Sequence, residues 1–153
     1  MPLTERITNV DELKSWKDQI PLRYEYTAGV AGEKFLRGLQ GGKILASRCG
    51  KCGRSYLPPK MYCVEDFSEI KDFPQIRGKG RLVALAESHV DFAGRKTKRG
   101  TTFVFVSFDG VEGGLIHRGI GAGLVVGSKV IPRFRPVGKR KGMMLDIEGF
   151  VKA

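Results

Sequence analysis

The sequence predicts an α+β fold in three segments, and three observations carry that prediction. Apolar residues recur at helical spacing before residue 40. Two short cysteine-bearing turns follow, and then five β runs separated by glycine fill the last ~75 residues. The chain has 153 residues, 41% of them apolar, with nine Phe, four Tyr and one Trp. That composition supports a packed core and excludes wholesale disorder. No stretch approaches the ~20 continuous apolar residues of a membrane span, and the N-terminus lacks an apolar signal core. A cytoplasmic location is therefore expected.

The first segment, 1–40, reads as a helical arm. Asn9 with Glu12 three residues on forms a capping-box pattern, and Val10, Leu13, Trp16 and Ile20 follow at helical spacing before Pro21. A second helix is predicted from Ala28 to Gln40, with Val30, Phe35, Leu36 and Leu39 on one side and Gly41-Gly42 as the C-terminal stop. Gly29, Ala31 and Gly32 make its first turn small, so another backbone can come close. Tyr24, Tyr26, Gly29 and Gly32 are accordingly the candidate docking surface for a partner.

The second segment, 41–75, holds the three cysteines of the chain. Lys43–Arg48 is strand-like, Ser55–Leu57 can return beside it before Pro58-Pro59, and 68–75 reads as a connector. The spacing is Cys49-x-x-Cys52, ten residues, then Cys63-x-x-Asp66. A two-residue gap lets both side chains of a turn converge on adjacent corners of a tetrahedron, and an Asp oxygen is an acceptable zinc ligand. Cys49, Cys52, Cys63 and Asp66 are therefore the expected ligands of a structural zinc ion in a zinc ribbon. A metal-free relic held by packing of Tyr56, Tyr62 and Phe67 is the alternative. A redox pair of the thioredoxin type would need a helix after the motif, and none is predicted.

The third segment, 76–153, is expected to be a five-stranded barrel of the oligonucleotide/oligosaccharide-binding (OB) type, with β runs at 76–90, 101–109, 114–120, 129–137 and 143–151. It carries fifteen basic against six acidic residues, whereas 1–40 is balanced at six and six. Such a field suits an anionic partner or ligand. Two basic clusters fall on predicted barrel loops: Arg95, Lys96, Lys98 and Arg99, and Lys139, Arg140 and Lys141. The five Phe residues 92, 103, 105, 108 and 134 are expected mostly as barrel core. The two histidines, His89 and His117, lie in different strands with no nucleophile signature, so independent catalysis is not expected.

One ordered series of residues adds to this reading. Tyr24-Glu25-Tyr26-Thr27-Ala28-Gly29, Phe35-Leu36-x-Gly38-Leu39, Gly42-Lys43-Ile44-Leu45 and Cys49-x-x-Cys52-Gly53-Arg54-x-Tyr56-x-Pro58-Pro59-x-x-Tyr62-Cys63 stand in sequence. The series resembles the zinc-ribbon/OB-fold acyl-CoA-associated family, catalogued as domain of unknown function thirty-five, with a rubredoxin-like ribbon. Asp66 departs from that family's commoner fourth Cys. The resemblance implies a non-catalytic accessory subunit that docks on a thiolase-like acyl-CoA enzyme as a hetero-oligomer. It also implies that coenzyme A or acyl-CoA is a shared ligand of that complex, and the basic clusters are the candidates for its phosphates. Single-stranded nucleic-acid binding by the barrel is the alternative from another class.

Overall fold

The computed structural model describes residues 25–91 and 93–153. Helix α1 spans Gly29–Gln40. Gly42 takes the left-handed φ of 74° at its stop, as the Gly41-Gly42 pair predicts. The earlier helix expected over residues 10–20, Tyr24 and Phe92 lie outside the described residues.

Strands β1 (Ser47–Arg48) and β2 (Ser55–Leu57) pair antiparallel, Ser47 opposite Tyr56. The 68–75 stretch does more than connect. It runs back along the start of the ribbon through bridges Leu45–Gln75 and Arg48–Asp72, and through Ala46 N–H to Pro74 C=O at 3.0 Å. These bonds give its backbone polar groups partners along that edge, while Ile70 is buried in the ribbon.

The remaining strands are β3 (Gly80–Val90), β4 (Lys96–Ser107), β5 (Glu112–Gly113), β6 (Leu115–Arg118), β7 (Lys129–Phe134) and β8 (Ile147–Lys152). Five of them form one antiparallel sheet in the order β6-β4-β3-β7-β8. The sheet curls until its edge strands meet at a single parallel bridge, Gly119–Phe150, so the barrel is not closed by a continuous ladder. The Met143–Val151 run begins later than its hydrophobicity suggests, because Met144–Asp146 forms a 3-10 turn first.

Parity within β4 corrects the expectation for its aromatics. Val104 and Val106 are buried, whereas Phe103 is 39% exposed and faces outward. The interior of a small barrel is filled by Leu82, Val104, Val106, Leu115, Val130 and Phe150, and the compact β-branched face of β4 is the one that fits. Phe108 is buried with them, and Phe134 is half-buried against the cluster. Phe35 and Leu39 from α1 enter the same cluster, as do Ile44 and Leu57 from the ribbon, so one core draws on all three segments. Parallel pairing of β2 with β5, Tyr56 opposite Glu112, joins ribbon to barrel.

Candidate metal centre

The ribbon is built from two backbone turns of the same design. In the first, Cys49 N–H donates to Arg54 C=O at 2.8 Å and Gly53 N–H to Cys49 C=O at 3.1 Å. In the second, Cys63 N–H donates to Ser68 C=O at 2.9 Å and Phe67 N–H to Cys63 C=O at 3.1 Å. Each turn places a left-handed residue directly after its second ligand position: Gly53 at φ 74° and Phe67 at φ 55°. Phe67 is the single non-glycine with positive φ among the described residues. Asp66 thus stands at the backbone position equivalent to Cys52, as the spacing predicts.

One donor atom from each of Cys49, Cys52, Cys63 and Asp66 lies within 4.8 Å of the others. Cys52 Sγ and Cys63 Sγ are 3.5 Å apart, and Cys49 Sγ and Asp66 Oδ2 are 3.3 Å apart. A tetrahedron with zinc–sulfur bonds of about 2.3 Å has edges near 3.8 Å, so these four donors fit around one ion with small adjustments. Lys51 N–H points at Cys49 Sγ from 3.3 Å, and Cys52 N–H from 3.5 Å. Cys49 and Cys63 are buried, and Cys52 is exposed.

The electrostatics agree with a cation. The Ser68 hydroxyl, followed by the Cys52 N–H, brings the Cys49 thiol down to about 7. At Cys52 the Arg54 N–H favours the thiolate, but desolvation and the neighbouring Cys63 and Cys49 sulfurs outweigh it and push the thiol up to about 11. Ser68, through its hydroxyl and its N–H, holds Asp66 well below the usual carboxylate range. Two anions are therefore favoured and a third is opposed by the crowd. A divalent ion held by these donors would remove that opposition and favour the thiolate at Cys52. Packing alone does not account for the knuckle: Tyr62 is 56% and Phe67 80% exposed, and of the three aromatics only Tyr56 is buried.

Two side chains that spacing did not single out as site residues complete the centre. Tyr56 Oη lies 3.3 Å from Cys63 Sγ, and this contact with burial raises the phenol. Ser68 bonds Asp66, and the Asp-x-Ser turn at 66–68 is the signal in the sequence that marks it. Arg54 Nη1 reaches both Glu65 (2.9 Å) and Glu112 (3.1 Å), tying the two turns to β5.

One basic cluster leaves its expected loop, and the other, 139–141, lies in the connection between β7 and β8 as expected. Lys96, Lys98 and Arg99 belong to strand β4, and Arg95 sits in the turn before it with its Nε on Asp91 Oδ2 at 2.7 Å. Lys139 ends a 3-10 turn, and Lys141 is exposed. Arg140 Nε donates to Arg135 C=O at 2.7 Å, and its guanidinium lies 5.4 Å from the Phe134 ring centre. Tyr26 is exposed just before α1, Gly29 has φ 64°, and Gly32 is half-buried on the helix. His89 pairs with Glu87 at 3.6 Å and His117 is buried in β6, so the structure leaves the histidines apart.

The family model described as ChsH2, rubredoxin-like zinc ribbon domain, matches residues 37–72. A protein of unknown function from the DUF35 family of Sulfolobus solfataricus is 34% identical, over 70% of this chain and 79% of that one, with a TM-score of 0.61. The chain belongs to the DUF35 family. The same fold occurs in the Ltp2-ChsH2(DUF35) aldolase, 17% identical over 70% of this chain and 85% of that one, TM-score 0.56. No curated protein matches the chain. As a DUF35 protein it carries the family's ribbon with three sulfurs and a carboxylate, and no described helix is long and apolar enough to cross a membrane.

Proposed function

We propose that this DUF35 protein is a non-catalytic accessory subunit of a cytoplasmic, thiolase-like acyl-CoA enzyme. It docks as a hetero-oligomer and supports acyl-CoA binding, or carbon–carbon bond cleavage or formation, by the complex. The observation that carries the reading is the shared fold with a DUF35 chain that forms an aldolase together with Ltp2. Cys49, Cys52, Cys63 and Asp66 would hold a structural zinc ion. Four protein donors close its coordination shell, so the ion fastens the ribbon and offers no open position to a substrate.

Within this reading the segments 1–40, 41–75 and 76–153 act as arm, ribbon and barrel around their common core. Tyr24, Tyr26, Gly29 and Gly32 form the docking surface. Arg95, Lys96, Lys98, Arg99, Lys139, Arg140 and Lys141 supply cations for the CoA phosphates. Arg95 and Arg140 already have protein acceptors, so the exposed Lys96, Lys98, Arg99, Lys139 and Lys141 carry most of that role. The test is affinity purification of the tagged chain from its native cells with mass identification of its companion. A thiolase-fold acyl-CoA enzyme is expected. Thioester turnover by the isolated chain would overturn the assignment.

One observation favours a second reading, single-stranded nucleic-acid binding. Phe103 pairs with Arg118, and Phe105 with Ile116, on the outward side of β4 and β6. In OB folds this is the strand pair on which bases stack. That reading predicts a mobility shift with oligonucleotide that weakens steeply with salt and is lost in Phe103→Ala.

A further inference from the structure

The two oxygens of Asp66 face different partners. Oδ1 accepts from Ser68 N–H at 2.9 Å and from the Ser68 hydroxyl. Oδ2 lies 3.3 Å from Cys49 Sγ and is the nearer oxygen to that sulfur, with Oδ1 at 3.8 Å. The Ser68 hydroxyl is also 3.4 Å from Cys49 Sγ, so it braces the whole Cys49–Asp66 edge. A free carboxylate can bind a metal through one oxygen or through both, and binding through both would add a fifth donor to a shell that favours four.

The geometry points to Ser68 as a positioning residue that makes Asp66 a one-oxygen ligand, with Tyr56 steadying the opposite edge through Cys63. This rests on the metal reading of the four-donor cluster and goes beyond it. With Oδ1 held by two donors, only Oδ2 is presented to the ion, and the carboxylate takes the place of a fourth thiolate without changing the coordination number. Hydrogen bonds to metal ligands commonly change affinity by about 10–100-fold. Ser68 keeps its N–H in any variant, so the hydroxyl alone is expected near the lower end of that range.

The test uses the full chain loaded with one metal at a time. Cobalt(II) reports coordination number through its visible d–d bands, which are intense in a tetrahedral site and weak in a five-coordinate one. Zinc release to a chromophoric chelator reports the grip. Ser68→Ala is expected to weaken the cobalt bands and to speed zinc release about tenfold. Ser68→Thr, which keeps the hydroxyl, should restore both. Tyr56→Phe should speed release while leaving the band intensity unchanged, because Cys63 offers one sulfur in either case.

Asp66→Cys separates this role from a purely structural one. With a thiolate at 66 there is no second oxygen to restrain, so adding Ser68→Ala to Asp66→Cys should leave the cobalt spectrum unchanged. Equal spectra and release rates for wild type and Ser68→Ala would overturn the proposal. So would the same spectral change from Ser68→Ala in both backgrounds. Failure of every variant and the wild type to take up either metal would instead remove the metal reading beneath it. If Ser68→Ala does not fold, the Thr variant and the Tyr56→Phe variant decide: wild-type behaviour of the first with faster release in the second supports the proposal, and an altered cobalt spectrum with Thr overturns it.

Discussion

Each corner of the four-donor cluster has its own chemical weight. Cys63 is buried, 3.5 Å from Cys52 Sγ, and its change to Ser should abolish stoichiometric zinc, read by elemental analysis against about one equivalent in the wild type. Phe67 holds a left-handed φ where the matching turn has Gly53, and its ring is 80% exposed. Phe67→Gly should therefore raise stability by about 1 kcal/mol, seen as a higher urea midpoint with an unchanged slope. The convergence of Cys49, Cys52, Cys63 and Asp66 was legible from the two-residue gaps in the sequence, including a carboxylate where a fourth sulfur would stand. The hydroxyl at Ser68 was not, because serines in turns are common and its role depends on which carboxylate oxygen it meets. Phe103 and Phe105 misled for a related reason: alternation states that two faces exist, but the space inside the sheet decides which one is filled.

Between β7 and β8 the chain is organised around one buried carboxylate. Asp146 is fully buried and accepts N–H groups from Lys141 (2.9 Å), Gly142 (2.6 Å) and Met143 (3.1 Å). Asp146→Ala leaves those donors without a partner and should cost about 3 kcal/mol in urea unfolding. Burial opposes the charge of Asp146, but the three N–H groups prevail and its pKa is lowered. Its contribution is complete above about pH 4, the value of an unfolded Asp, and is lost as pH falls through the lower folded value. The stability gap between wild type and Asp146→Asn should accordingly shrink on acidification below pH 4. His117 adds an earlier acid effect. Its Nε2 lies 3.2 Å from Met144 C=O, and burial lowers its pKa, so folding favours the neutral ring. Stability should fall as pH drops below about 6.5, and His117→Gln should remove that slope. The two strands of this region were readable as β runs, although the second begins at Ile147 and not at Met143. The carboxylate was not, since three backbone donors leave no trace in side-chain pattern.

At the level of the whole chain, the helix, ribbon and barrel share one cluster of apolar side chains. Leu39 is fully buried in α1 yet packs in the core that includes Leu82, Val104 and Phe150. Leu39→Ala should cost about 3 kcal/mol and lower the urea midpoint equally whether followed by tyrosine fluorescence or by far-UV circular dichroism. Composition announced enough apolar matter for a core, but a count by segment cannot show that the core ignores segment boundaries. That sharing arises from Phe35 and Leu39 reaching across from the helix and from β5 pairing with β2. One part of the molecule escapes this consolidation. β7 pairs with β3 only at Gly80 and Arg81, and β6 with β4 only from Phe103 to Val106, while β3 and β4 continue together to Val90 and Lys96. Beyond those contacts about five residues of each strand, roughly 15 Å, stand as a two-stranded outrigger with cations at its end. Held by its own ladder and not by the shared core, the outrigger should give up its amide protons to deuterated solvent well before the portions of β3 and β4 that lie beside β7 and β6.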